Sequence, residues 1–337
     1  MKKLSVVILN WNGKHFLEQF LPALIDSLPD FAELVVADNN STDDSIPFLK
    51  QNFPSIRLIL NGENGGFSKG YNQALNQIDA TYFCLLNSDI LVDKNWIAPI
   101  IEMMDADDSI AAVQPKLRSY SDRKMFEYAG ASGGFIDKFG YPFCRGRVFD
   151  KLENDNGQYD TPMQIFWATG AALFVRRDVF LQLNGLDEDF FAHMEEIDFC
   201  WRINNSGYKI MVNPQSVVYH VGGGTLPKNN SFKTFLNFRN NLFLLLKNLP
   251  KNRLFITFFC RFFLDQIAAF VFLLKGQFSD FKAVYKAIFA FLNNYNKMKA
   301  KRGKILDSAF HHTYPKSIVF QHYFFKKNFF DGSKLFK

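Results

Sequence analysis

Short apolar runs alternate with helix-like stretches through the first quarter of the chain. The runs are Leu4–Leu9, Glu33–Ala37, Arg57–Leu60 and Tyr82–Leu86, and between them lie about Lys14–Ser27, Asp43–Asn52 and Ser68–Gln77. Runs this short and this apolar predict buried strands joined by helices, an α/β fold whose parallel sheet is covered on both faces. In such sheets ligands bind beyond the carboxyl ends of the strands. The polar residues sit there. Asn10-Trp-Asn-Gly13 follows the first run and Asp38-Asn-Asn-Ser-Thr-Asp43 the second. Asn64-Gly-Gly-Phe-Ser-Lys-Gly-Tyr-Asn72 follows the third, and Asn87-Ser-Asp89 closes the fourth. One sheet edge is therefore expected to carry the chemistry. No GxGxxG follows the first strand, which argues against a dinucleotide site, and the absence of GxxxxGK[ST] excludes a P-loop.

The strand-end residues have specific uses. Asp38 suits a carboxylate that accepts hydrogen bonds from a base or ribose. Ser41 or Thr42 reads as a helix N-cap, with acids in the first turn. Gly65 and Gly66 open a helix, where glycine permits close backbone approach and free N–H groups favour an anion; a plain tight turn is the alternative. Asp89 could bind a divalent cation whose other ligands come from substrate, or end an Asx turn. Glu195, Glu196 and Asp198 begin a predicted helix. Three acids there suit the helix dipole, and one held beside a cleft could take a proton from a hydroxyl. His220 ends a predicted strand before Gly222–Gly224 and is a possible metal ligand.

Charge divides the chain. Residues 1–225 hold 19 Lys+Arg against 29 Asp+Glu, whereas residues 226–337 hold 20 against 4, so the two parts are expected to meet different surroundings. At 337 residues and 48% hydrophobic, the chain has room for a large core and an appendage. Cys84, Cys144, Cys200 and Cys260 lie far apart and read as reduced thiols of a cytoplasmic protein. The apolar run after Lys2 and Lys3 is too short for a signal peptide and reads as the first strand.

Six segments in order resemble the family 2 glycosyltransferases, in particular their bacterial rhamnosyltransferase-like branch. They are ValValIleLeuAsnTrpAsnGly, AspAsnAsnSerThrAsp, AsnGlyGlyPheSerLysGlyTyrAsn, LeuLeuAsnSerAsp, AlaThrGlyAlaAlaLeuPheValArgArg and PhePheAlaHisMetGluGluIleAspPheCysTrpArg, spanning roughly residues 4–224. The resemblance implies a GT-A fold over residues 1–225 and inverting transfer from a nucleotide-diphospho-sugar, with dTDP-rhamnose or a UDP-sugar as donor. It implies that Asn10, Asp38, Asn39, Asn64, Gly65, Gly66, Asn72 and Asn87 surround the donor. Asp89 would hold Mg²⁺ or Mn²⁺, with His220 as a further ligand. Glu196 stands at the position of the general base and Glu195 beside it. Asn87 stands where the family carries the first acid of its DxD, and Glu196 where the family often has Asp.

Residues 226–337 hold 22 of the 40 Phe. Leu254–Leu274 is apolar enough for a span, but Arg261 and Asp265 sit in its middle, where a bilayer would make them costly. Helices lying in the interface fit better, with Phe and Leu in the acyl boundary and Lys or Arg at anionic headgroups. The expectation is a peripheral protein on the inner face of the cell membrane, acting on a lipid-linked glycan. Two rivals are a sugar nucleotidyltransferase and an inactive scaffold of a polysaccharide assembly complex. Nucleic-acid binding is not expected, because no RNA-binding signature accompanies the basic residues.

Overall fold

The computed structural model describes residues 2–222, 230–303, 305–306, 310, 312–332 and 335. The boundary at 225/226 and the glycines 223 and 224 lie outside the described residues. The chain begins β1 (Lys2–Asn10), α1 (Lys14–Asp26), β2 (Ala32–Asp38), α2 (Ser45–Asn52), β3 (Arg57–Leu60), α3 (Gly66–Leu75) and β4 (Ala80–Asn87). Then come β5 (Ile90–Val92), α4 (Ala98–Ala106) and β6 (Ile110–Ser119). A small antiparallel sheet follows, made of β7 (Gly134–Ile136), β8 (Pro142–Cys144), β9 (Arg147–Val148) and β10 (Lys151–Leu152). The chain returns to the main sheet with β11 (Met163–Gln164), β12 (Ala172–Arg176), α5 (Arg177–Gln182), α6 (Glu195–Asn205) and β13 (Lys209–His220). Helices α7 (Ser231–Asn248), α8 (Lys251–Leu274), α9 (Phe278–Asn293) and α10 (Tyr295–Ala300) follow, with a last short helix over Ile318–Tyr323.

The main sheet runs β11-β13-β6-β12-β4-β1-β2-β3, with β5 pairing β13. Strands β1 to β4 are parallel, as the apolar runs predict, so their carboxyl ends share one edge. The other half is mixed. β12 lies antiparallel between β4 and β6, while β6 and β13 are parallel. Apolar patterning marks β12 as buried but carries no sign of strand direction, so the parallel reading extends only over β1 to β4. Beyond a register shift at Asn213–Val217, the end of β13 pairs His220 with Ser119 on one side and Ile90 on the other. That pairing sets His220 beside Asp89.

Alternate residues of β1 feed opposite cores, as the period of two requires. Leu4, Val6 and Ile8 pack with α1, α2 and α4, whereas Val7 joins α3, α5 and α6. The second core continues through Leu242–Leu246 of α7, Phe291 of α9 and Met298 of α10. The basic helical region thus completes the core of the sheet region.

Its charge has the same explanation. Buried Lys247 pairs with Asp187 at 2.6 Å and Asp198 at 2.8 Å. Lys297 bonds Asp189 at 2.5 Å, and Lys301 bonds both Asp187 and Asp189. Part of the positive excess neutralises acids of the first region, so opposite charge marks a contact as well as different surroundings. Removing one partner of the buried Lys247 cluster would strand the others; Lys247→Met is expected to cost on the order of 3 kcal/mol, measurable by denaturant unfolding.

Helix α8 is built inside out. Thr257, Arg261, Asp265 and Ala269, spaced by four, are buried against the protein. Phe255, Phe259, Phe262, Phe263, Phe270 and Leu274 face outward, Phe255 at 81% exposure. Arg261 bonds Asp265 at 3.0 Å, Phe139 O at 3.1 Å and Asn241 Oδ1, and lies 4.2 Å from the Tyr141 ring centre. Its charge is fully partnered inside the protein, leaving the exposed residues from Phe255 to Leu274 all apolar.

Candidate active site

The β1 and β2 ends are locked together by buried polar groups. Asn10 Nδ2 donates to Asp38 Oδ2 at 3.0 Å, and Asn39 N donates to Asn10 O at 2.7 Å. Asp38 also accepts from Ser41 N (2.8 Å) on Oδ1 and from Ser41 Oγ (2.6 Å) on Oδ2. A carboxylate has about four acceptor positions, so one on Oδ1 remains for a ligand. Ser41 and Thr42 do not cap α2. That helix starts at Ser45 after Asp44, and Ser41 accepts instead from Asn12 N at 2.9 Å while Thr42 Oγ1 accepts from Asn12 Nδ2 at 3.2 Å. The strand-end loop offers these hydroxyls nearer partners than the helix does.

The glycine loop is shaped by close approach. Gly66 has φ +74, and a Cβ there would lie 2.6 Å from Phe191 O. Asn64 Oδ1 accepts from Gly66 N (3.1 Å) and from Asn39 Nδ2 (2.9 Å). Phe67 N donates to Phe191 O at 2.9 Å, and Gly65 N to Glu63 O at 3.1 Å. The row of free amides expected for an anion is therefore engaged; the glycines let the loop clasp the segment before α6. Asn72 faces away from this cluster, bonding Leu186 through both O and N and reaching Glu188 at 3.2 Å. Asn87 N bonds Ala171 O at 3.0 Å, which sets the end of β4 beside Gly170.

Asp89 and His220 meet at the same edge. His220 Nε2 is 3.2 Å from Asp89 Oδ1, and its Nδ1 is 3.1 Å from Glu127 Oε2. All three are buried. Burial alone would lower the imidazole pKa, but bonding and charge from Asp89 and Glu127 outweigh it and push His220 up to about 10. Burial likewise works to raise Asp89, yet the hydrogen bond and charge of His220 hold it below the usual carboxylate range. Once a cation displaces the Nε2 proton that now bridges to Asp89, the carboxylate oxygen and imidazole nitrogen form a donor pair that suits Mn²⁺, and Mg²⁺ less well because of the nitrogen. Among the described residues no three His, Cys, Asp or Glu side chains converge as a full metal cage. The remaining ligands would have to be diphosphate oxygens and water. Glu127 was not legible in the sequence, being a single acid in a loop without periodicity. Its position against Nδ1 is that of an outer carboxylate orienting a metal-binding histidine.

The two glutamates stand at the first turn of α6. Glu195 is buried and Glu196 is partly exposed. Each has an Oε2 without a hydrogen-bond partner. Burial, then the neighbouring Glu196, drives Glu195 well above the usual glutamate range; burial pushes Glu196 up to about 7. Gly170 completes the neighbourhood, since a Cβ there would lie 3.0 Å from the Phe67 ring and 3.6 Å from Glu196 Cβ. Its motif was visible in the sequence, its place beside Glu196 was not. Asp198 pairs with Arg202 at 2.9 Å, as the i,i+4 spacing predicts, and also with Lys247 and Asn248.

The buried Asp38 network, the Asp89–His220 pair and the raised Glu196 thus occupy one edge of one sheet. Residues 5–180 match Glycosyl transferase family 2. The chain belongs to that family. The N-acetylglucosaminyl-diphospho-decaprenol L-rhamnosyltransferase of Mycobacterium tuberculosis is 25% identical over 64% of this glycosyltransferase and 75% of its own length. Rhamnosyltransferase WbbL of Escherichia coli is 23% identical over 61% and 80%. Among solved structures, mannosyltransferase PcManGT from Pyrobaculum calidifontis, in complex with GDP-Man and Mn²⁺, superposes with TM-score 0.52 at 14% identity over 97% of this chain and 89% of that one. GalNAc-T7 with UDP, GalNAc and Mn²⁺ gives 0.58 at 17% identity over 74% of this glycosyltransferase, which spans about half (49%) of the GalNAc-T7 chain. The fold is GT-A, with helices α7 to α10 appended.

Proposed function

We propose that this glycosyltransferase moves a sugar, with inversion, from dTDP-rhamnose or a UDP-sugar to a hydroxyl of a lipid-linked glycan in cell-surface polysaccharide synthesis. The observation that carries the reading is the shared sheet edge joining the Asp38 network, the Asp89–His220 pair and Glu196. Asn10, Asp38 and Asn39 hold the nucleoside, using the open acceptor position on Asp38. Asn64, Gly65 and Gly66 wall the pocket and Asn87 flanks it, while Asn72 acts from outside it by tying the glycine-loop helix to Leu186. Asp89 and His220 would hold Mn²⁺ or Mg²⁺, which would supply charge neutralisation on the diphosphate. Glu196, through its unpartnered Oε2, accepts the acceptor hydroxyl's proton as that oxygen bonds the anomeric carbon. The bond to the diphosphate breaks in the same displacement, and the electron pair leaves with the phosphate. Glu195, held protonated, keeps a second negative charge away from the base. A thermal-shift screen of nucleotide-sugars tests the donor: dTDP-rhamnose or a UDP-sugar should raise Tm with Mn²⁺ and lose the effect with EDTA. Stabilisation by nucleoside triphosphates alone would count against the reading.

The acceptor reading rests on α8 and on the lipid-linked substrate in the name of the mycobacterial relative. Among the described residues α8 is the one helix long and apolar enough to cross a bilayer. With Arg261 and Asp265 turned inward, its Phe face is proposed to lie on the inner face of the cell membrane. Deleting everything after residue 230 would also remove Leu242–Leu246 from the core, so a surface change is the cleaner test. Substituting Phe255, Phe259, Phe262 and Phe263 by Ser should cut co-flotation with anionic phosphatidylglycerol vesicles by about tenfold or more, with Tm unchanged. Equal flotation would remove the membrane face from the account.

A further inference from the structure

The backbone just before the base is in an unfavourable conformation. Phe191, His193 and Met194 have φ of 64°, 68° and 72°, in the left-handed region that non-glycine residues seldom adopt. Something must hold it, and α7 supplies the grip. The two N–H of Asn240 Nδ2 are shared among three carbonyls of this segment: Phe190 O at 2.9 Å, Ala192 O at 2.9 Å and His193 O at 2.7 Å. Arg239 Nη2 adds bonds to Asp189 O (3.1 Å) and Phe190 O (3.2 Å). Arg239 Nε donates to Asn240 Oδ1 at 2.9 Å, which fixes the amide with its NH₂ toward the carbonyls. Asn240 is fully buried. On its other side the segment meets the glycine loop through Phe67 N and Phe191 O.

We propose that Asn240, oriented by Arg239, is a positioning residue for the general base. It holds Phe191, His193 and Met194 in their positive-φ conformations and so sets where α6 starts, one residue before Glu196. A residue of the appended helices thereby becomes necessary for chemistry at the sheet edge. The inference rests on Glu196 being the base. Three carbonyls converging on one amide need a donor at that point; an acceptor or a methyl there strips this bond from Ala192 O and His193 O and leaves Phe190 O to Arg239 alone.

The test uses the full chain with Asn240→Ala and the isosteric Asn240→Asp, beside Glu196→Gln. Amide hydrogen exchange should quicken by about tenfold or more in residues 189–197 and stay unchanged in β1 to β4. With the nucleotide-sugar that the wild type turns over fastest and Mn²⁺, kcat should fall about 100-fold while donor KM moves less than about threefold. The midpoint of the pH–rate profile should also move away from the midpoint of the wild type. A residue that only stabilises the fold would lower Tm and leave kcat and that midpoint alone, which overturns the proposal. Wild-type kcat in Asn240→Ala beside an inactive Glu196→Gln overturns the positioning role alone; turnover in Glu196→Gln overturns the base assignment instead. Should Asn240→Ala fail to fold, Arg239→Lys loosens the amide's orientation, and unchanged exchange and kcat in that variant overturn the proposal equally.

Discussion

Glu196→Gln is expected to lower kcat by about 10³-fold, within the range that general base catalysis supplies, while donor affinity stays within about twofold of wild type. Glutamine keeps the shape and the partly exposed position but cannot take the proton. The same substitution should stabilise the fold. Burial holds Glu196 at about 7 against an ordinary value of 4.5, so between those pH values the folded chain binds the proton more tightly than the unfolded one. Stability then falls as pH rises from about 4.5 to about 7 and stays lower above that. At pH 8 the glutamine variant should therefore be more stable on the order of 3 kcal/mol, and at pH 4 the difference should be small. In the wild type, turnover should climb through about pH 7 as the base loses its proton. A variant that loses activity and gains stability at pH 8 is what a catalytic, and not a structural, glutamate produces.

The second large effect is at the cation pair. Asp89→Asn keeps the side-chain volume but removes the charge that faces His220 at 3.2 Å. Donor binding in Mn²⁺ should weaken on the order of 100-fold, to the level of the wild type in EDTA, because several kcal/mol of charge neutralisation on the diphosphate are lost. Binding without metal should hardly change. Calorimetry of dTDP-rhamnose with Mn²⁺ and with EDTA reads both. Metal-dependent binding that survives in Asp89→Asn would move the cation elsewhere. Glu127→Gln should act in the same direction but more weakly, about tenfold, since it orients His220 and does not face the cation.

The first four strands and their polar ends were readable because buried parallel strands impose short apolar runs and the chemistry follows each run directly. The strand-end places of Asp38 and Asp89 were legible for that reason, whereas Glu196 stood out through the acid cluster at a helix start and the resemblance. Glu127 was not, because its closeness to His220 depends on how the loop after β6 folds back, and no local period encodes that. The engagement of the Gly65–Phe67 amides by Glu63, Asn64 and Phe191 was equally hidden, since glycine signals close approach without saying to what. Charge was misleading in one respect: Lys247, Lys297 and Lys301 serve Asp187, Asp189 and Asp198 within the chain. Arg261 and Asp265 were weighed against a bilayer, whereas a helix has two faces and theirs turns inward.

The central claim is direct displacement at the anomeric carbon by a hydroxyl that Glu196 deprotonates. The most direct test is NMR of the product formed from the accepted nucleotide-sugar with Mn²⁺, read for anomeric configuration in the first turnovers. The account predicts a product of inverted configuration, released with one nucleoside diphosphate per transfer. A product of retained configuration, or pyrophosphate in place of nucleoside diphosphate, would contradict it.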